Sequence, residues 1–168
     1  GDAAELAETF FDTVRARHLT FGDRLVCSVL RPYFISAADY RLVQRASARV
    51  MGAIARLDQA LAVDARLRAS VGLTADEEAI VGLPVGYRGP DVSARLDSFL
   101  AARDSLWFIE YNAESPGGLA FGDVLGETFA EFPVMRQVAQ TYPPITLPIR
   151  GWTLDALLSV YRESGRTG

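Results

Sequence analysis

Four polar side chains lie close enough along the chain to act together. Arg95 and Asp97 are two residues apart, and so are Glu110 and Asn112. In an extended strand, residues two apart share a face. Residues 92–100 and 106–112 read as two strands joined by a polar turn around Arg103-Asp104. Opposed positions of a hairpin add to a constant, so the register that sets Asp97 against Glu110 also sets Arg95 against Asn112 and Phe99 against Phe108. The four polar groups then share one face. Trp107 and Tyr111 fall on the other, where core packing is expected.

Two carboxylates directly opposed across a ribbon repel each other unless a cation joins them. Leu96, Phe99, Trp107, Phe108 and Ile109 surround this pair with apolar groups. A hard divalent ion held by Asp97, Glu110 and the amide oxygen of Asn112 resolves the conflict. Mg²⁺ suits such oxygen donors and keeps positions for water and substrate phosphates. Arg95 beside it is placed to hold a transferred phosphoryl group or a developing negative charge. Other arrangements stay open. Arg95 can pair with Asp97 or Glu110 as a structural ion-pair network, or a longer turn can shift the register and separate the four. Opposed strand positions, about 4.5–5.5 Å apart at Cβ, also suit the carboxylate pair of a retaining hydrolase. Downstream, Gly117 and Gly118 precede a helix, where free N–H groups can bind a substrate carboxylate or phosphate; a turn and helix start is the commoner use of such a run.

The elements that must position these groups point to a helix-rich, mixed α/β fold. Residues 3–18 read as an amphipathic helix with Leu6, Phe10 and Val14 on one stripe. A β-rich run covers Leu25 to Ile35, interrupted at Pro32. Ser36 with Asp39 is a capping signal for a long helix carrying Val43, Ala46, Val50, Ile54, Leu57 and Leu61 at core spacing. Arg41, Arg45, Arg49 and Arg56 mark its other face, read as solvated. Thr74 and Glu77 repeat the capping pattern, and residues 82–90 read as a loop. Phe121, Leu125 and Phe129 share a helix face, ended by Pro133. Three prolines make residues 142–149 extended, and a last helix runs from Leu154 to Arg162. The expected organisation is one α/β domain over residues 1–141, an extended linker over 142–150 and a C-terminal helix within 151–168.

Composition removes several classes of function. The chain has 168 residues, 49% apolar and 23% charged, as an ordinary globular protein does. Its net charge of −4 argues against nucleic acid as a partner. All 17 basic residues are arginine, so neither a Schiff-base lysine nor a Walker-type phosphate loop is present. With His18 as the one histidine, no histidine-rich zinc site can be built. Cys27 has no internal partner, no apolar run spans a membrane, and the first residues do not resemble a signal peptide. A cytoplasmic protein with no membrane partner is the expectation.

Arg95-Leu96-Asp97 followed by Phe108-Ile109-Glu110-Tyr111-Asn112-Ala113-Glu114-Ser115-Pro116 resembles the glutathionylspermidine synthases and related circularly permuted ATP-grasp proteins. The match covers residues 93–118. It implies an ATP-dependent carboxylate–amine ligase acting on small-molecule or peptide substrates. By position, Asp97, Glu110 and Asn112 would hold Mg²⁺ at the ATP phosphates, and Arg95 would face the reacting phosphoryl group. Ser115 would lie near the substrate. Because the family is permuted, this stretch would belong to the front part of a longer protein, and these 168 residues alone would not catalyse the reaction.

Overall fold

A computed structural model describes residues 3–101, 105–114 and 116–166. The fold is mixed α/β and helix-rich, as the sequence predicts, with two antiparallel two-stranded ribbons. The chain divides into two compact units, Gly1–Phe34 with Gly117–Leu154, and Ile35–Pro116 with Asp155–Gly168.

The first unit holds helix α1 (Ala3–Ala16), the short strands β1 (Thr20–Phe21) and β2 (Arg24–Leu25), and helices α5 (Phe121–Ala130) and α6 (Pro133–Thr141). The predicted stripe of α1 buries Phe10 and Val14, while Leu6 at its outer end stays partly exposed. Phe10, Val14, Leu19, Phe129 and Met135 form the core. The Phe10 ring meets Phe129 at 4.7 Å and Phe132 edge-on at 5.2 Å between centroids, within the range where aromatic pairs attract beyond their burial. Gly22, in the left-handed region at φ 59°, makes the tight turn between β1 and β2. The β-rich run after Leu25 is not a strand. Beyond Val26, which donates to the Leu19 carbonyl, residues 27–36 have no regular structure. β propensity alone does not hold a strand whose N–H and C=O groups lack a partner strand.

Two polar ties complete this unit. The Arg17 guanidinium donates to Thr128 Oγ1 at 3.0 Å and to both Glu131 oxygens at 2.6 and 2.7 Å, fastening the end of α1 to α5. The buried carboxylate of Asp123 accepts from the backbone N–H of Ile149 and Arg150, both at 3.0 Å. These are the first residues of helix α7 (Ile149–Glu163), so Asp123 satisfies orphan donors of that helix from another element. The last helix thus begins five residues before the predicted Leu154. The extended segment ahead of it passes close to α5. A Cβ on Gly126 would stand 2.8 Å from Thr146 Cγ2, and one on Gly122 3.1 Å from Ile149 Cδ1.

In the second unit, Ser36 caps α2 (Ala37–Val63), accepting from the Asp39 N–H at 3.1 Å. Asp64 ends α2 and caps α3 (Ala65–Val71) through the N–H groups of Arg66 and Leu67. Thr74 and Glu77 form the predicted capping box of α4 (Ala75–Val81). No residue of α2 is fully buried; its predicted apolar stripe is half-covered. Arg41, Arg45, Arg49 and Arg56 are exposed, as expected for a solvated face. The second ribbon pairs β3 (Ala94–Ala101) with β4 (Ser105–Ala113). Among the described residues, no helix is long and apolar enough to cross a membrane.

Candidate functional site

The β3–β4 register sets Arg95 opposite Asn112 and Asp97 opposite Glu110, the two pairings deduced from the sequence. Alternation then places all four on one face of the ribbon. Past Asp97 the register shifts: Ser98 faces Phe108 and Phe99 faces Trp107. Ile109 is the extra residue of a β-bulge. The expected opposition of Phe99 and Phe108 is therefore corrected, and Trp107, expected on the far face among core residues, shares the polar face. Phe99 and Trp107 are 69% and 67% exposed there. The Trp107 indole N–H donates to Ser105 Oγ at 2.7 Å. Bulges commonly re-aim a side chain beside a functional site; here one changes which aromatic ring extends the face.

Within the polar group, Arg95 Nε donates to Asp97 Oδ1 at 2.6 Å and an Nη to Oδ2 at 3.2 Å. This bidentate pair raises the Arg95 pKa and lowers that of Asp97; in each case the mutual hydrogen bond is the main cause, opposed by partial burial. Asp97 is thus held ionised and already faces a cation. Glu110 is exposed, and its charge adds to the rise of the Arg95 pKa. Asn112 is half-buried, and its Nδ2 is a buried donor with no hydrogen-bond partner. An orphan donor of this kind costs about 1–3 kcal/mol until an acceptor reaches it. Its two amide atoms suit a metal–phosphate together: Oδ1 can ligate a cation while Nδ2 donates to a phosphate oxygen. Two carboxylates and an amide fit Mg²⁺, which commonly takes one or two carboxylates and completes its shell with water and phosphate. They do not amount to a closed protein cage. Among the described residues, no three His, Cys, Asp or Glu side chains come together as a metal-binding group.

Three sequence candidates remain. Ser115 falls outside the described residues. Gly117 and Gly118 belong to the first unit, ahead of α5, and Gly118 adopts φ 88° with its carbonyl accepting from the Phe121 N–H at 3.0 Å. That is the turn-and-helix-start use of Pro-Gly-Gly.

Residues outside the sequence candidates support the ribbon from its other face. Tyr111 is half-buried there and its hydroxyl donates to Asp91. Burial, then this carboxylate, push the phenol up to about 12. Glu114 closes the same network, accepting from the Val92 N–H at 3.3 Å and the Tyr87 hydroxyl at 3.4 Å. Its backbone sits at φ 53°, a left-handed conformation uncommon outside glycine. Glu114 thereby ties the end of β4 to the segment that leads into β3. No spacing rule points to these contacts, since they join residues 20–27 positions apart. A groove of about 370 Å³ borders this support, lined by Ser47 and Met51 of α2 and by residues 91–96. No protein-family model, curated protein or solved structure matches the chain.

Proposed function

We propose that this chain supplies the metal–phosphate half of an ATP-grasp-type carboxylate–amine ligase, working in the cytoplasm. In such an enzyme a carboxylate is phosphorylated to an acyl phosphate, which an amine then attacks. Asp97, Glu110 and Asn112 would hold Mg²⁺ against the ATP phosphates. Such an ion would supply positive charge against the phosphates during the transfer. Arg95 would meet the phosphoryl group with its planar fork. One observation carries this reading: Arg95, Asp97, Glu110 and Asn112 share a face in two cross-strand pairs, with a buried amide donor that lacks an acceptor. The test is Mg²⁺-dependent release of ADP, given carboxylate and amine substrates, by the longest natural protein that carries this sequence. Asp97→Ala and Glu110→Ala are each expected to lower that rate at least 100-fold with modest loss of stability. Unchanged rates in both variants would sink the proposal.

The Arg95–Asp97 pair favours a second reading, a non-enzymatic α/β module in which the pair belongs to a structural network. Here Asp97→Ala and Glu110→Ala should lower stability equally with and without Mg²⁺.

A further inference from the structure

Four arginines share one face of α2 with no carboxylate among them. Arg41, Arg45, Arg49 and Arg56 are exposed, and among the described residues none of them forms an ion pair. At about 100° per residue they fall within about 80° of one another around the helix. Asp39 and Asp58, the carboxylates of α2, lie outside that sector. Like charges four residues apart weaken a helix, so Arg41, Arg45 and Arg49 act against α2 until anions join them. Gly52 lies in the same row, where a Cβ would meet only Arg56 Nη1 at 3.8 Å. The middle of the row is thereby open to close approach by another backbone.

A complementary row lies on α1. Glu5, Glu8 and Asp12 are exposed and fall within about 60° of one another. They stand on the side of α1 away from the buried Phe10 and Val14. Among the described residues Glu5 and Glu8 form no ion pair, and Asp12 holds Arg15 at 2.8 Å. The row from Glu5 to Asp12 is about 10 Å long, against about 12 Å from Arg41 to Arg49. An arginine fork can take both oxygens of a carboxylate. The two rows therefore match in sign, length and chemistry.

We propose that a second copy of this chain docks the acidic row of its α1 on the arginine row of α2. Each exposed pair is worth little alone, but several held on two rigid helices act together. The contact is weak and sensitive to salt. It does not involve the β3–β4 ribbon and stands independently of the ligase reading.

Sedimentation velocity of the chain over a range of concentrations reads the association. Copies should associate at about 0.05 M salt and separate at about 0.5 M. Two variants, Arg45→Glu with Arg49→Glu and Glu5→Arg with Glu8→Arg, should each weaken association at least about tenfold, as attraction becomes repulsion at two positions. The second variant is the sharper test. It removes the net charge of −4, so general repulsion between copies would predict tighter association, not weaker. An equimolar mixture of the two variants should regain the association that each lacks, because the facing rows are again opposite in sign. Circular dichroism checks that each variant is folded. Monomers at every concentration in low salt would overturn the proposal and leave the arginine row to an acidic partner of another kind. Weakening in only one variant, or no recovery on mixing, would overturn it as well.

Discussion

Charge and burial part company at two carboxylates of this chain. Asp97 is partly exposed and holds Arg95, so its pairing is screened and worth little to stability. Asp123 is buried, and its worth is larger. Burial pushes its pKa up, but the N–H and guanidinium of Arg150 and the N–H of Ile149 outweigh this, and the net shift is downward. A carboxyl group depressed in the folded state contributes stability that is present above its unfolded value of about 3.9 and lost as pH falls through the folded value. Asp123→Asn should therefore cost about 2–4 kcal/mol at neutral pH, by urea denaturation, and flatten the decline in stability of the parent below about pH 4. An equally steep acid decline in the variant would contradict this role. Tyr111 has the opposite sign. Its phenol, raised to about 12, contributes stability below its ordinary value of about 10 that is lost as pH rises through 12. Tyr111→Phe should cost about 0.5–1.5 kcal/mol at neutral pH and leave no stability change between about pH 10 and 12 from this residue. Neither role was legible beforehand, because Asp123 and its partners are 26 and 27 residues apart.

At the scale of elements, the hairpin shows what spacing carries and where it stops. The pairings of Arg95 and Asp97 followed from the constant sum of opposed positions, which holds until a strand gains a residue. Ile109 is that residue, and no feature of Trp107-Phe108-Ile109 marks it as unpaired. Deleting Ile109 should remove the bulge and keep Phe99 opposite Trp107. In a Trp152→Phe background the emission of Trp107 should then stay that of an exposed indole, with stability within about 1 kcal/mol of the parent. A strong blue shift would show that the ribbon had re-registered. Caps were the most legible feature, since Ser36–Asp39 and Thr74–Glu77 are bonds between residues three apart. The close passage of residues 142–148 over α5 was not, because a glycine in a helix does not announce what crosses it. Gly126→Ala should cost about 1–3 kcal/mol through its clash with Thr146. Adding Thr146→Ala removes the two nearest atoms, leaving Cβ at 3.6 Å, and should restore most of the loss.

For the whole molecule, the distribution of burial sets which parts open first. Among the described residues, the hydrophobic core of Phe10, Val14, Leu19, Phe129 and Met135 belongs to the first unit, while α2 buries no side chain fully over its 27 residues. Hydrogen exchange should therefore be slowest in α1 and α5 and faster in α2, despite its length and its cap. Slowest exchange in α2 would show that its half-covered stripe holds the more stable unit. The helix-rich α/β class was readable from apolar spacing and caps. The division into two discontinuous units was not, because it depends on contacts between segments about a hundred residues apart.

A proposed metal–phosphate site on β3 and β4 makes a linked prediction for the protein as it stands. A ligand held by the folded ribbon alone raises its stability by mass action, by about 2.7 kcal/mol at a hundred times its dissociation constant. The direct measurement is the thermal midpoint of this chain with saturating Mg²⁺ and ATP together, compared with each alone, in the parent, Asp97→Asn and Glu110→Gln. The account predicts a rise that needs both ligands in the parent and vanishes in both variants. The same midpoint in all conditions, or a rise that survives both substitutions, would contradict it.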